Sequence, residues 1–472
     1  MNVDACFEKV AWVKGMYWLN QVDKHAHEIP TWATERHPER RPCHLEKAPL
    51  YGSYNLCRIV EFNNGEKWVI RFPLPGKTSQ AHLDEKVAGE VVALQLLRAR
   101  TNVPVPEVKA WGLADENPLG LGPFMMLQYI PGMDLGDLLE DPIDKHSSLM
   151  SVHLHDESVK VIYRQVAQFM LQIFKLDFEE MGGLPVGSPD RRRPLTLAAH
   201  EILCRGGVNV LGLRSEKLST AKEFFDYLIN QQWQQLHEQL TSACDEENAR
   251  EKYIFVRVLK SLTSRHIWPD YNEGPFKLIC DDFGLRNMRA QPDDLKITGV
   301  IDQEFSYAGP AQLLATAPWW LLLERPHMWD FSEEMEDRFL RHLDMFKCVL
   351  EEEEEATPGH EDKELSRLIQ RSNENGTLWF IMVLQGFYQS PDNFLCTQLI
   401  RHTPDWDELA QGIPEDEIQA FVAKKMRHVK LHDKRKEDML AAYEKLQWCQ
   451  IDADTFFQVV EGLYSRADDT VE

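Results

Sequence analysis

The stretch "CDDFGLRNMRAQPDDLKITGVIDQEF", residues 280–305, places three oxygen-bearing side chains at fixed intervals. Asp282 stands five residues before Asn287, and the apolar segment "LKITGVID" then ends in Asp302. Carboxylate and amide oxygens on a tight loop and at a strand end are the ligand types that Mg²⁺ prefers. A lone Asp with a nearby Asn is also common in turns and helix caps. The rest of the chain therefore has to decide between these two interpretations.

The triplet Asp282-Phe283-Gly284 offers another interpretation, because protein kinases hold Mg²⁺ with an Asp-Phe-Gly triplet. That interpretation needs an HxDxxxxN frame upstream, where the chain has only "SRHIWPDYNEGP". The downstream spacing fits better, with Asp282 as the base that deprotonates a hydroxyl group and with Asn287 and Asp302 as Mg²⁺ ligands. Asp281 is the alternative base, although the spacing to Asn287 favours Asp282.

Composition restricts the class of protein. The 472 residues are 43% hydrophobic and 27% charged, which is typical of a soluble globular chain with two or three domains. The net charge of −24 opposes binding to nucleic acid or to anionic membranes. We find no membrane span, secretory signal or transit peptide, and nine scattered cysteines favour reduced thiols. We therefore expect a cytoplasmic protein with neither a nucleic-acid nor a membrane partner.

The order of patterns along the chain predicts an α+β fold with two lobes. Residues 51–76 contain two β-rich runs joined by Asn64-Gly65, a strong hairpin signal. Residues 83–100 have the apolar spacing of an amphipathic helix, and residues 123–132 form an apolar run typical of a buried strand. Long helical patterns then follow. We divide the chain into an N-terminal extension (1–44), a small β-rich lobe (45–131) and a large helical lobe (132–472) that contains the catalytic segment 276–310.

The small lobe offers a cation for phosphate. Arg71 lies on the strand after the hairpin, and an Arg can bind phosphate through two nitrogens, although it is not a neutral replacement for Lys. Glu90 lies beside the buried stripe of the predicted helix, where an unpaired carboxylate would be costly. A pair between Arg71 and Glu90 resolves that cost, and Glu85 is the rival partner.

Two further segments fit nucleotide binding by their order in the chain. One is the segment before the hairpin, where a loop covering the phosphates would lie, and its candidate residues are Gly52, Ser53 and Asn55. The other is the link between the lobes, whose backbone would meet adenine at Gln128, Tyr129 and Ile130. A single Gly before a strand is usually a turn, and any apolar strand end has this appearance.

The chain resembles a known family in the segments "GSYN", "RFPLPG", "GEVVALQLLRARTNVPVPEV", "MMLQYIPG", "PFKLICDDFGLRN" and "ITGVIDQEFSYAGPAQLLATAPWWLLLERP". These segments resemble the fungal branch of the aminoglycoside phosphotransferase family, also called the phosphotransferase enzyme family, from about residue 45 to past residue 430. The resemblance implies a protein-kinase-like fold and an ATP- and Mg²⁺-dependent kinase acting on a hydroxyl of a small molecule. The resemblance implies that Asp282 is the base and that Asn287 and Asp302 are Mg²⁺ ligands. It implies that Arg71, with Glu90, positions the phosphates.

Some residues depart from the family pattern, and other functions stay open. Cys280 stands where the wider family has His, and Gln303 replaces a Trp. With Arg71, these changes motivate an alternative, a pseudokinase or nucleotide-binding scaffold without turnover. A true protein kinase is disfavoured because little room for an activation loop follows Asp302.

Three further features have structural interpretations. We predict that Trp319-Trp320 belongs to the core, since aromatic side chains mostly stabilise by burial. We predict that Cys280 is a buried thiol rather than a nucleophile. The run "EEEEEATPGHEDKE" predicts a solvated helix end and loop. The acceptor molecule and the oligomeric state cannot be read from the sequence.

Overall fold

The computed structural model of the protein describes residues 5–141, 148–329, 333–386 and 393–464. The strands in these ranges are β1 (Cys43–Leu45), β2 (Leu50–Tyr51), β3 (Asn55–Phe62), β4 (Lys67–Pro73), β5 (Val108–Gly112), β6 (Phe124–Gln128), β7 (Met133–Asp134), β8 (Asp177–Phe178), β9 (Gly182–Gly183), β10 (Phe276–Cys280), β11 (Met288–Ala290), β12 (Ile297–Val300) and β13 (Ser306–Gly309).

The α-helices in the same ranges are α1 (Ala5–His25), α2 (Ile29–Arg36), α3 (Leu83–Arg100), α4 (Leu135–Leu139), α5 (Asp156–Phe174), α6 (Leu197–Gly206), α7 (Ala221–Glu238), α8 (Glu246–His266), α9 (Ala311–Leu314), α10 (Glu333–Ala356), α11 (Glu364–Glu374), α12 (Thr377–Gln385), α13 (Phe394–Arg401), α14 (Trp406–Gln411), α15 (Glu415–Gln447) and α16 (Ala453–Tyr464). None of these helices is both long and apolar enough to cross a membrane.

The small lobe is an antiparallel sheet with α3 packed against it. Its strand order is β1-β3-β4-β6-β5, and β2 pairs with β3 at the edge. The β3–β4 hairpin turns at Asn64-Gly65, where Gly65 has φ of 83°, a value that glycine adopts without steric cost. The predicted hairpin, the helix over residues 83–100 and the buried strand before the link are all confirmed.

The N-terminal segment packs as part of this lobe. Strand β1 crosses the expected boundary at residue 45 and pairs with β3. Trp32 of α2 is buried, and its ring centre lies 4.5 Å from that of Phe124 and 6.3 Å from that of Phe72. Helix α1 contributes Cys6 and Val13 to a separate apolar cluster with α15 and α16. The segment 1–44 therefore contacts both the sheet and the C-terminal helices.

The large lobe is mostly helical, and it carries two small antiparallel sheets. One has the order β8-β10-β13-β9, and the other has the order β12-β11-β7. Helices α5 and α10 pack against each other, as do α7 and α8. Strand β10 lies centrally in the first sheet, where β8 pairs with its start at Phe276 and Lys277 and β13 pairs with it as far as Cys280. This end delivers the loop that contains Asp282.

The acidic run was only partly predicted correctly. Its first residues do form the end of α10, but Glu354 is fully buried and accepts hydrogen bonds from the amides of Leu365 and Ser366 at the start of α11. Burial raises the pKa of Glu354. Glu353 is also buried and pairs with Arg164. The prediction of a solvated run was wrong for these two residues because helix capping and ion pairing offset their burial.

We expect Trp32→Ala to lower the free energy of unfolding by about 3–5 kcal/mol, because the substitution removes a large buried aromatic side chain and leaves a cavity. Urea unfolding followed by circular dichroism measures this change. Trp448→Ala is the control, since Trp448 is 72% exposed and should change the free energy by less than about 0.5 kcal/mol. Equal effects of the two substitutions would show that α2 does not stabilise the sheet.

Candidate active site

The loop after β10 brings the predicted base and its Asn into contact. Asn287 Nδ2 donates to Asp282 Oδ2 at 2.9 Å and to the Asp282 carbonyl at 2.8 Å. The Asp282 side chain keeps 34% of its exposure, so it is accessible from solvent. Both hydrogen bonds use the amide nitrogen of Asn287, and its amide oxygen is thereby left as the atom that can bind a metal.

Asp281 is distinguished from Asp282 by its surroundings. Its carboxylate is buried, accepts from the Tyr307 hydroxyl at 2.7 Å and accepts from the Leu197 amide at the start of α6 at 2.9 Å. Burial raises the pKa of Asp281 to about 6. Asp281 therefore ties the loop to β13 and α6, while Asp282 presents the accessible carboxylate.

Asp302 follows β12 and lies next to the loop that contains Asp282 and Asn287. The Ile301 amide donates to the Asn287 carbonyl at 2.9 Å, which joins the two candidate metal-binding segments. Asp302 has φ of 60°, a left-handed conformation that is uncommon for residues other than glycine. Such backbone conformations cost about 1–3 kcal/mol and concentrate at functional sites. The side chain of Asp302 is 31% exposed.

Arg71 connects the small lobe to Asp302. Its Nη1 donates to Glu90 Oε1 at 2.7 Å, and its Nη2 donates to Asp302 Oδ1 at 2.8 Å and also to Glu304 Oε1. Burial alone would lower the pKa of Arg71, but the carboxylates of Asp302 and Glu90 raise it. The predicted Arg71–Glu90 pair is present, while Glu85 instead pairs with Arg214.

Two buried residues of this cluster, Lys86 and Glu304, were not predicted from the sequence. Lys86, one helical turn before Glu90, places Nζ 2.6 Å from Glu304 Oε2 and donates to Asn55 Oδ1 at 3.3 Å. Burial, reinforced by the nearby Arg71 cation, lowers the pKa of Lys86 to about 7. The four-residue spacing of Lys86 and Glu90 and the position of Glu304 two residues after Asp302 were available signals.

The cluster contains oxygen ligands suited to a metal ion. Oxygens of Glu90, Asp302 and Glu304 lie within 4.8 Å of one another. Carboxylates with an adjacent amide oxygen, such as that of Asn287, form the donor set that Mg²⁺ prefers. Arg71 now contacts all three carboxylates, so a metal bound here would share them with the guanidinium.

The predicted phosphate-covering loop is only partly accessible. Gly52 and Ser53 are exposed, and the Gly52 amide donates to the Asn55 carbonyl at 2.9 Å. Asn55 is buried, and its side chain contacts Glu304 and Lys86. Gly52 and Ser53 thus face solvent next to a residue that belongs to the carboxylate cluster.

In the link between the lobes, two amides are already engaged. The Gln128 amide donates to the Glu107 carbonyl at 2.8 Å, and the Tyr129 amide donates to the Lys67 carbonyl at 3.1 Å. Ile130 packs beside Gly299 of β12. If adenine binds here, its hydrogen bonds must come from backbone groups other than those two amides.

Arg325 was also missed, and it contacts the candidate base. Its Nη2 donates to Asp282 Oδ1 at 2.9 Å and to the Asp281 carbonyl at 2.8 Å. The guanidinium carbon lies 4.0 Å from the ring centre of Trp319. Trp320 is buried as predicted, but Trp319 is half-buried and faces this arginine. No periodic pattern in the sequence relates Arg325 to Asp282.

Cys280 and Gln303, which depart from the family pattern, make contacts inside the protein. The Cys280 thiol contacts the carbonyls of Asp302 and Glu304, and burial raises its pKa, which disfavours the thiolate. Gln303 is buried, and its amide donates to Glu90 Oε1 at 3.2 Å. Cys280 is half-buried rather than fully buried, and its raised pKa agrees with the prediction that it is not a nucleophile.

Comparison with known proteins finds a family match that includes Asp282, Asn287 and Asp302, but it begins after Gly52 and Ser53 and ends before Arg325. The sequence model of the phosphotransferase enzyme family matches residues 55–320, which is more than half of the chain. A subtelomeric hrmA-associated cluster protein of Aspergillus fumigatus is 30% identical over 133 residues, which cover 28% of this chain and 23% of that protein. The mitochondrial protein "altered inheritance of mitochondria protein 9" of Debaryomyces hansenii is 26% identical over 133 residues, covering 28% of this chain and 20% of its own.

Both of these relatives are fungal, in agreement with the resemblance to the fungal branch, and the matches span less than a quarter of their lengths. A crystal structure from Ralstonia eutropha, described as an aminoglycoside phosphotransferase, superposes with a TM-score of 0.45 at 12% identity. The superposition covers 85% of this chain and 97% of that chain.

We expect the stability of Asp281→Asn relative to wild type to depend on pH between about 4 and 6. The folded-state pKa of Asp281 is about 6, above the ordinary value of 3.8. As the pH falls through this window, the folded state takes up the proton first. The wild type should therefore gain up to about 1.4 kcal/mol of unfolding free energy per pH unit over the variant.

Urea unfolding at several pH values measures this difference, and Asp282→Asn is the control for the same change of charge at a more exposed carboxyl. A difference between wild type and Asp281→Asn that stays constant from pH 7 to pH 4 would contradict the burial of the Asp281 carboxyl.

We expect Arg71→Met to lower the free energy of unfolding by about 3–5 kcal/mol, because it leaves the buried carboxylates of Glu90 and Glu304 without this cation. Thermal or urea unfolding measures the loss. Arg250→Met is the matched control, since it removes an exposed pair with Glu415 that is worth about 0–1 kcal/mol. A loss for Arg71→Met no larger than that of the control would show that the cluster does not stabilise the fold.

Proposed function

Since the chain belongs to the phosphotransferase enzyme family, we propose that it is an ATP- and Mg²⁺-dependent kinase that phosphorylates a hydroxyl group of a small molecule. The observation that carries this proposal is the contact of Arg71 with both Glu90 and Asp302, next to the Asp282–Asn287 pair. The phosphate-binding cation, its helix partner, a metal-binding carboxylate and the base are the groups that phosphoryl transfer needs.

Asp282 is the proposed base. It accepts the proton of the acceptor hydroxyl while the hydroxyl oxygen forms its bond to the transferred phosphorus. Asn287 holds Oδ2 and Arg325 holds Oδ1, so the carboxylate is fixed in orientation before the acceptor binds. This fixed orientation reduces the entropy that must be lost when the reacting groups come together.

Asp302 and Asn287 are the proposed Mg²⁺ ligands. The half-exposed carboxylate of Asp302 and the amide oxygen of Asn287 fit a hard cation that prefers oxygen. When bound, Mg²⁺ neutralises charge on the nucleotide phosphates. Arg71 adds a fixed positive charge beside this position, and Glu90 holds the guanidinium in place. An Arg at this position can contact two phosphate oxygens at once.

ATP binding is assigned to the small lobe. Gly52 and Ser53 would lie over the phosphates with Asn55 behind them, and the link at Gln128, Tyr129 and Ile130 would contact adenine. This part of the proposal is supported by the exposure of Gly52 and Ser53 and by the position of the link between the two lobes. The acceptor is proposed to be a small molecule, because β13 and α9 follow Asp302 directly and leave little room for an activation loop.

A cytoplasmic location without a nucleic-acid or membrane partner is part of the same proposal. The nine cysteines are free thiols, and the net charge is −24. Free thiols support a reducing compartment. The negative net charge disfavours a phosphate backbone or an anionic membrane as partner. Fractionation of cells that express a tagged chain tests the location, and recovery in an organelle fraction would contradict it.

A second candidate function is a nucleotide-binding scaffold without turnover. Both carboxylates that the reaction requires are paired with arginines, Asp302 with Arg71 and Asp282 with Arg325. Each pair must open or share its carboxylate before a metal or a hydroxyl can bind. A scaffold would bind Mg²⁺ and ATP but release no ADP with any acceptor.

We expect calorimetric titration with ATP to show binding that increases when Mg²⁺ is present. Asp302→Asn should weaken the Mg²⁺-dependent part at least tenfold, because the substitution removes a carboxylate ligand. Asp344→Asn is the control, since Asp344 is 72% exposed and far from the cluster in sequence. Asp282→Asn should retain nucleotide binding and lose ADP release.

The absence of ATP binding by the wild-type protein would contradict both candidate functions. Binding without ADP release across a broad set of alcohols would favour the scaffold. ADP release that Asp282→Asn does not reduce would contradict the role of Asp282 as the base.

A further inference from the structure

Arg325 is held rigidly against the proposed base. Its Nη2 donates to Asp282 Oδ1 and to the Asp281 carbonyl, and its guanidinium stacks on Trp319 at 4.0 Å. The Arg325 side chain keeps 16% of its exposure. An arginine fixed by two hydrogen bonds and an aromatic ring loses little further entropy when it binds a ligand.

The guanidinium has hydrogen-bond donors to spare. The guanidinium of arginine carries five N–H groups, and both side-chain hydrogen bonds of Arg325 come from Nη2. Among the residues that the structure describes, Nε and Nη1 of Arg325 form no hydrogen bond. These three N–H groups can bind an oxyanion, and guanidinium donors match carboxylate and phosphate geometry.

Arg325 lies at the edge of Asp282 away from the metal-binding residues. Asn287 contacts Oδ2, whereas Arg325 contacts Oδ1. The nucleotide phosphates lie with the metal on the Asn287 side in the proposed function. An acceptor hydroxyl that meets Asp282 at Oδ1 therefore lies beside Arg325.

The surroundings of this edge are polar and include further cations. Glu201 of α6 is buried, accepts from the Tyr54 hydroxyl at 2.5 Å and pairs with Arg205. Burial raises the pKa of Glu201, whereas the cations of Arg205, Lys77 and Arg325 act to lower it. Arg205 pairs with Glu201 and offsets the negative charge of this carboxylate.

We propose that the acceptor carries an anionic group, a carboxylate or a phosphate, which binds Arg325 while its hydroxyl group meets Asp282. This inference rests on the proposed function and adds the substrate class. In the reaction, the bond between the γ-phosphorus and the bridging oxygen of ATP breaks, a bond from the hydroxyl oxygen to that phosphorus forms, and the hydroxyl proton passes to Asp282. The anionic group of the acceptor is unchanged.

Charge explains why this group would need Arg325. A chain with a net charge of −24 repels anions on average, so an anionic substrate needs a local cation to be held at the site. A polycationic acceptor would instead bring its charge against a fixed guanidinium that contacts the base. Arg325 therefore favours anions and disfavours polyamines at the same position.

The test compares acceptors that differ only in the anionic group. We would measure the affinity of glycerate, glycerol 3-phosphate and glycerol by calorimetry, with Mg²⁺ and a non-hydrolysable ATP analogue, and the affinity of inorganic phosphate for the nucleotide-free protein. The proteins are the wild type, Arg325→Gln, Arg325→Lys and the control Arg257→Gln. Arg257 is a suitable control because it also lies over an aromatic ring and pairs with a carboxylate, Glu417.

We expect the wild type to bind at least one of the two anionic compounds at least tenfold more tightly than glycerol, and to bind inorganic phosphate. Arg325→Gln should abolish both preferences, Arg325→Lys should retain part of them, and Arg257→Gln should retain them fully. Tighter binding of glycerate than of glycerol 3-phosphate would assign the group as a carboxylate, and the reverse order would assign it as a phosphate. Melting temperatures establish that each variant is folded.

Equal affinity for glycerol and for both anionic compounds would overturn the inference. So would a preference for anions that Arg325→Gln retains, or an equal loss of affinity for glycerol and for both anionic compounds in Arg325→Gln, since Arg325 would then act only on the loop that contains Asp282. Failure of the proposed function is distinguishable from failure of this inference, because the wild-type protein would then show no Mg²⁺-dependent nucleotide binding. The phosphate titration does not require nucleotide and tests Arg325 in either case.

Discussion

The buried guanidinium of Arg71 is the group on which the arrangement of the two lobes depends. A cation in the protein interior requires carboxylates around it, and these come from α3 on one side and from the segment after β12 on the other. Arg71 and Asp302 are 231 residues apart in the chain. Buried ion pairs contribute little net stability relative to apolar packing, but they are costly to break and fix geometry. The cluster therefore fixes the position of the small sheet over the catalytic segment.

The same cluster links architecture to chemistry. Asp302, the proposed metal ligand, is held in a left-handed backbone conformation and is paired with Arg71. Glu304 and Lys86 extend the cluster, because Glu304 contacts Arg71 and pairs with Lys86. The catalytic loop repeats the arrangement on a smaller scale, because Asp282 is paired with Arg325. In both places an arginine is paired with a carboxylate that has a proposed role in the reaction.

Local patterns predicted the elements and several contacts well. The hairpin at Asn64-Gly65 and the helix over residues 83–100 have the predicted bounds, and Arg71 pairs with Glu90 rather than with Glu85. The acidic run was misjudged because Glu354 caps a helix that begins ten residues later. The roles of Gly52, Ser53, Asn55 and the link between the lobes in ATP binding stay predictions.

The sequence by itself determined the β3–β4 hairpin, helix α3, the buried strand β6, the bilobal order and the spacing of Asp282, Asn287 and Asp302. These features depend on short-range periodicity, turn residues and fixed intervals, which one sequence displays directly. Only the tertiary structure decided that Asp281 is buried while Asp282 is accessible, that Glu304 and Lys86 join the Arg71 cluster, and that Arg325 contacts Asp282. Such contacts depend on burial and on distances between residues far apart in the chain, which no local pattern encodes.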